Sequence, residues 1–204
     1  MSGRPSRGPR ESFAEGRARR AEIEDPAVVL EAALHFLEAR HRSIGEVRRR
    51  LGSAGYREDL VSAAIERLAD LGVLDDAAFA QTWIESRDRA RPRGERALQA
   101  ELRQKGIDAE TVSQALAVRR AAETAPATEG EMGASADERA AERLLARHAR
   151  ALLRVTDPRQ RRQRAYALLA RNGFDPSVCH DTAAAWVAAS AGSAPDPDLD
   201  GGEP

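Results

Sequence analysis

The stretch LGVLDDAAFA, residues 71–80, sets two carboxylates side by side, Asp75 and Asp76, between a glycine-containing turn and a hydrophobic run. A metal site or an acid/base pair would need further ligands or a histidine close by, and the neighbours are alanines, Phe79 and Gln81. Asp75 instead suits the N-cap of a helix. Leu74 and Phe79 then have the spacing of a hydrophobic staple, and Asp76 falls in the first turn, where the helix dipole favours negative charge. Cys179 has His180 beside it, but side chains adjacent on a helix point apart, which disfavours a nucleophile and its base. As the one cysteine, it excludes an internal disulfide and a thiolate zinc cluster. His35, His41, His148 and His180 lack a metal-ligand spacing, and there is no glycine-rich phosphate loop. The sequence therefore predicts no catalytic residue, no metal and no cofactor, and a protein that is not an enzyme.

The elements that carry these residues are predicted to be helices. Of the 204 residues 42% are hydrophobic but only 4% aromatic, with alanine, leucine, arginine and glutamate abundant, which points to an all-α protein packed through small and aliphatic side chains. No apolar run approaches a membrane span and the N-terminal stretch has no signal-like segment, so a cytoplasmic protein without membrane contact is expected. One pattern occurs three times: Leu51 with Gly55 and Tyr56, Leu102 with Gly106 and Ile107, Leu169 with Gly173 and Phe174. Val47, Leu98 and Ala165 precede at one offset; Val61, Val112 and Cys179, then Ile65, Leu116 and Ala183, follow at two others. Each unit reads as a helix ending at a left-handed glycine, with an apolar residue fixing the entry of the next helix. A further helix precedes each pair, beginning in the first unit at Asp25 and Pro26, and Ser43 with Glu46 forms a capping box. These signals predict three-helix repeats over 25–72, 73–121 and 137–191, a disordered basic arm over 1–24, a flexible linker over 122–136 and a disordered acidic tail over 192–204. Three tandem three-helix repeats should form an elongated, curved body, and a monomer is expected.

A net charge of −1 conceals segregation. Residues 1–20 carry six arginines against two glutamates, residues 87–105 seven basic against three acidic groups, and residues 137–171 ten against four, so three basic blocks stand out. Along residues 136–153 a helix gathers Ala141, Leu144, Leu145, His148 and Leu152 on one face and Arg143, Arg147, Arg150 and Arg154 nearly opposite. A solvated face usually mixes signs, and this one does not, which favours contact with a polyanion or an acidic protein surface. The candidate contact residues are Arg48, Arg49, Arg87, Arg91, Arg93, Arg143, Arg147, Arg150, Arg154, Arg161 and Arg162. Phe36, Tyr56, Phe79, Trp83, Tyr166, Phe174 and Trp186 read as core anchors, leaving no stacking platform for bases.

Over roughly residues 28–118 the segments SIGEVRRRLGSAGY, LADLGVLDDAAFAQTWIESR and RPRGERALQAELRQKGID resemble the RecX family of bacterial recombination regulators. The likeness runs through Leu74, Asp75, Asp76, Phe79, Arg87, Gly94, Leu102, Lys105, Gly106 and Ile107 in order and spacing; the arm, the insertion at 122–136 and the tail depart from it. The resemblance implies a cytosolic, non-enzymatic protein that binds the RecA recombinase and limits its activity in recombination, repair and the SOS response. It also implies a helical body lying in the deep groove of the filament on DNA. Two rival readings are a helical-repeat module binding DNA directly through its arginine-rich faces, and an enzyme built around Asp75 and Asp76.

Overall fold

The computed structural model describes residues 12–122 and 134–191, and all the regular structure among them is helical. The helices are α1 (Phe13–Ala21), α2 (Pro26–Glu38), α3 (Ile44–Ala54), α4 (Glu58–Asp70), α5 (Asp76–Ala90), α6 (Glu95–Gln104), α7 (Ala109–Ala122), α8 (Ala136–Leu153), α9 (Pro158–Arg171) and α10 (Pro176–Ala191). The described residues up to Phe79, together with Gln104–Asp108, form one compact unit; Ala80–Arg103 and the described residues from Ala109 onward form the other.

In the first unit α2 packs on α3 and α4, which pack on each other. The core is built from Val29, Ala33, Val47, Leu51, Val61, Ile65 and Leu68, and Leu74 joins it ahead of α5. The caps are those the sequence announces. Asp25 accepts from the Ala27 amide with Pro26 as first helical residue, and Ser43 and Glu46 close a reciprocal capping box on α3. In the second unit α8, α9 and α10 pack around Ala141, Leu144, Leu145, Leu152, Leu169, Phe174 and Cys179. The repeated pattern has one structural meaning throughout. Leu51, Leu102 and Leu169 are each at most 2% exposed, and Gly55, Gly106 and Gly173 all have positive φ (103°, 89° and 82°), where a side chain would be strained.

Part of the arm expected to be disordered is a helix. Ser12 caps α1 with Glu15 in a second capping box, Arg20 Nη1 donates to the Ala54 carbonyl (3.3 Å), and α1 packs on α3. Residues 1–11, most of the expected linker and the acidic tail lie outside the described residues. The linker's two ends, Ala122 and Ala136, are helical. His148, expected on the apolar face of α8, is exposed, as is Tyr166 on α9. Burial of α8 is completed by Leu144, Leu145 and Leu152, so the imidazole stays in water and needs no buried partner.

Candidate partner-binding surface

The paired carboxylates act as caps. Asp75 Oδ1 accepts from the amides of Ala77 (2.8 Å) and Ala78 (2.9 Å), as its N-cap reading requires. Asp76 does more than sit in a first turn: its Oδ1 accepts from the Ile44 amide at 2.9 Å, capping α3 from 32 residues away. Burial pushes the Asp76 carboxyl up, and Asp108, Asp75 and Glu46 push the same way against the Ile44 amide. Around it Ser43 Oγ donates to the Lys105 carbonyl (2.7 Å), and Lys105 Nζ reaches Glu46 (3.1 Å) and lies 5.5 Å from the centre of the Phe79 ring. Burial alone would raise the Glu46 carboxyl, but Lys105, the Ser43 amide and Arg40 hold it below its ordinary value. Residues that could have been read as chemistry thus form a junction between the N-terminus of α3 and the C-terminus of α6.

The second unit repeats this junction. The Gly94 amide donates to the Asn172 carbonyl (3.0 Å), and the Glu95 amide donates to the Asp137 carboxylate (3.1 Å and 3.2 Å). Asn172 precedes Gly173 as Lys105 precedes Gly106, so in both units the residue capping a repeat's second helix bonds the carbonyl just before the next repeat's turn glycine. Arg119, only 6% exposed, ties this junction to its surroundings. It holds Asp88 with two parallel bonds of 2.9 Å and Asp137 with one of 2.7 Å. The sequence reading missed Arg119 because its partners are 31 and 18 residues away.

The arginines expected to form open charge divide into two groups. Arg87 and Arg93, expected as contact residues, are half-buried and engaged within the protein: Arg87 Nε donates to Glu101 (2.7 Å) and its guanidinium lies 4.2 Å from the centre of the Trp83 ring. Arg93 donates to Asn172 Oδ1 (2.6 Å) and lies 3.5 Å from Glu101. Arg161 donates to the Val155 carbonyl (2.9 Å), and Arg162 lies 2.8 Å from His180 Nε2. Arg48 pairs with Glu58, and Arg49 bonds the carbonyls of Gln104 and Lys105, though both remain exposed. Arg143, Arg147, Arg150 and Arg154 do share one exposed line on α8 and its C-cap. Arg143 is 3.9 Å from Asp88 and Arg147 donates to the Ala90 carbonyl. Of the candidate arginines, Arg91, Arg150 and Arg154 have exposed side chains without a hydrogen-bond or ionic partner among the described residues.

The Cys179–His180 pair does not have the geometry of a nucleophile and its base. The Cys179 thiol is buried and donates to the Phe174 carbonyl at 3.6 Å, and burial pushes its pKa up, away from the reactive thiolate. His180 is exposed and faces Arg162 and Asp181. Among the described residues no three His, Cys, Asp or Glu side chains gather as a metal site would need, and no helix is long and apolar enough to cross a membrane.

Comparison with known proteins agrees with this architecture. Residues 30–68 match the family model "RecX, first three-helix domain" and residues 75–116 match "RecX, second three-helix domain". The chain is 33% identical over 156 residues to the regulatory protein RecX of Mycobacterium avium (strain 104), covering 76% of this chain and 83% of that one. It is 31% identical over 159 residues to the regulatory protein RecX of Mycobacterium bovis (strain BCG / Pasteur 1173P2), covering 76% and 84%. The fold matches the crystal structure of RecX from Lactobacillus salivarius with a TM-score of 0.62 at 22% identity, over 81% of this chain and 98% of that one. A second crystal structure, of a regulatory protein RecX, aligns with a TM-score of 0.60 at 21% identity, over 81% and 72%.

Proposed function

The chain belongs to the RecX family of regulatory proteins, and from that premise we propose that it binds filaments of the RecA recombinase in the cytoplasm and limits their activity in recombination, repair and the SOS response. It works by occupancy and not by turnover. The observation that carries the reading is the exposed line of Arg143, Arg147, Arg150 and Arg154 on α8, with Arg150 and Arg154 free to meet acidic groups of a partner. A guanidinium that already satisfies an internal carboxylate, as Arg87 does, has less to offer.

Co-sedimentation with RecA filaments on single-stranded DNA, together with the recombinase's ATP hydrolysis, tests this directly. Changing all four arginines to Ala should abolish inhibition. Changing only Arg150 and Arg154 should weaken filament binding by about tenfold, the effect of two contact arginines worth a little under 1 kcal/mol each. Full inhibition by the fourfold variant, with the helical circular dichroism retained, would refute the assignment.

A further inference from the structure

Helix α1 walls one side of an open cleft of about 650 Å³ in the first unit, within the range of pockets that take small ligands. Phe13, 72% exposed, stands at its edge; Phe36 and Tyr56 are half-buried within it, and Arg20, Arg50, His35 and Ser53 add polar groups to its lining. No carboxylate lines it among the described residues. Arg42, 4.3 Å from the centre of the Phe36 ring, and Arg50, at 5.7 Å, already attend that ring; Tyr56 packs partly against the core, and Phe13 is the exposed ring of the cleft. Glu38 is engaged with His35 at 2.9 Å. Arg17 and Arg19 are exposed on α1, and Arg4, Arg7 and Arg10 precede it in the sequence.

We infer that this cleft binds single-stranded nucleic acid, with an unpaired base stacked on Phe13 against Tyr56 and the adjoining phosphates on Arg20 and Arg50. An exposed phenyl ring beside cations is what a base and its phosphate require together: the base offers a π-face, and the backbone a charge that arginine meets. A duplex keeps its bases inside the stack and has no face to give. The site is separate from the α8 arginines and involves no recombinase, so it stands or falls apart from the proposed function.

Fluorescence anisotropy of a labelled oligothymidine with the full chain, between about 50 and 200 mM salt, reads it out. The wild-type chain should bind the single strand in preference to duplex competitor, and more weakly as salt rises. Phe13→Ala should weaken binding by about tenfold, Phe13→Tyr should restore it, and Phe13→Leu, which keeps an apolar surface but no ring, should not. Arg50→Ala should weaken binding and flatten the salt dependence. Because Phe13 is exposed, these variants should keep the wild-type circular dichroism. The inference is overturned if the wild-type chain ignores the oligonucleotide, if duplex competes as well as single strand, or if Phe13→Leu binds as wild type, which would mark the cleft as a dock for an apolar protein segment.

Discussion

Asp76 is a half-buried carboxylate whose protonation is linked to stability. Its pKa is raised above the ordinary value of about 3.9, so the folded protein holds this proton more tightly than the unfolded one. The stabilising effect of that proton is fully present below the ordinary pKa and is lost as pH rises through the raised one. Asp76→Asn removes the titration while keeping an oxygen for the Ile44 amide. The melting temperature of this variant, relative to wild type, should therefore climb as pH goes from about 4 to 7. A difference that stays flat or declines over that interval would show that Asp76 does not set the trend. Arg119 sits between Asp88 and Asp137, and removing it alone would leave Asp137 with the Glu95 amide and Asp88 with the more distant Arg143 in partly buried surroundings.

Helices here meet where there is no room for a side chain. A Cβ added at Gly94 would lie 2.3–2.4 Å from the backbone of Gly173 and Phe174, and one at Gly45 would lie 2.6 Å from the Lys105 carbonyl oxygen. Gly94→Ala should thus cost about 3 kcal/mol in urea unfolding by forcing α6 off the turn after α9, whereas Gly52→Ala, with open space around its Cβ, serves as the control. Equal stability of the two variants would remove the close approach as a determinant of packing. What the sequence could show at this scale is what neighbours in the chain decide. Ser43 with Glu46, Asp25 with Pro26 and the turn glycines are local chemistry, and each lies where it was read. The caps from Asp76 to Ile44 and from Asp137 to Glu95 span 32 and 42 residues, and no local pattern reports them. Helix α1 did have a signal, the serine and glutamate of its capping box, obscured by the run of arginines that suggested a solvated arm. The arginine line on α8 followed from helical spacing alone, while the inward turn of Arg87 and Arg93 depends on Glu101, a residue of the next helix.

At the scale of the molecule, two compact units each own a core. Leu51 sits in one and Leu169 in the other, both fully enclosed. Truncating either to Ala should cost about 2–5 kcal/mol, and amide hydrogen exchange should show the loss mainly in the unit that carries the change: α2, α3 and α4 for Leu51→Ala, and α8, α9 and α10 for Leu169→Ala. Uniform loss of protection across all helices for both variants would mean that the chain unfolds as one block.

The five residues Gln104–Asp108 belong with a unit whose other described members end at Phe79. A chain emerging from the ribosome in order therefore cannot finish its first half when that half has been made. The carbonyl awaited by Ser43 and the ammonium awaited by Glu46 arrive only after α6 has been synthesised. A fragment cut at residue 79 would keep the apolar core of α2, α3 and α4 with Leu74 but would lack both of these downstream polar contacts.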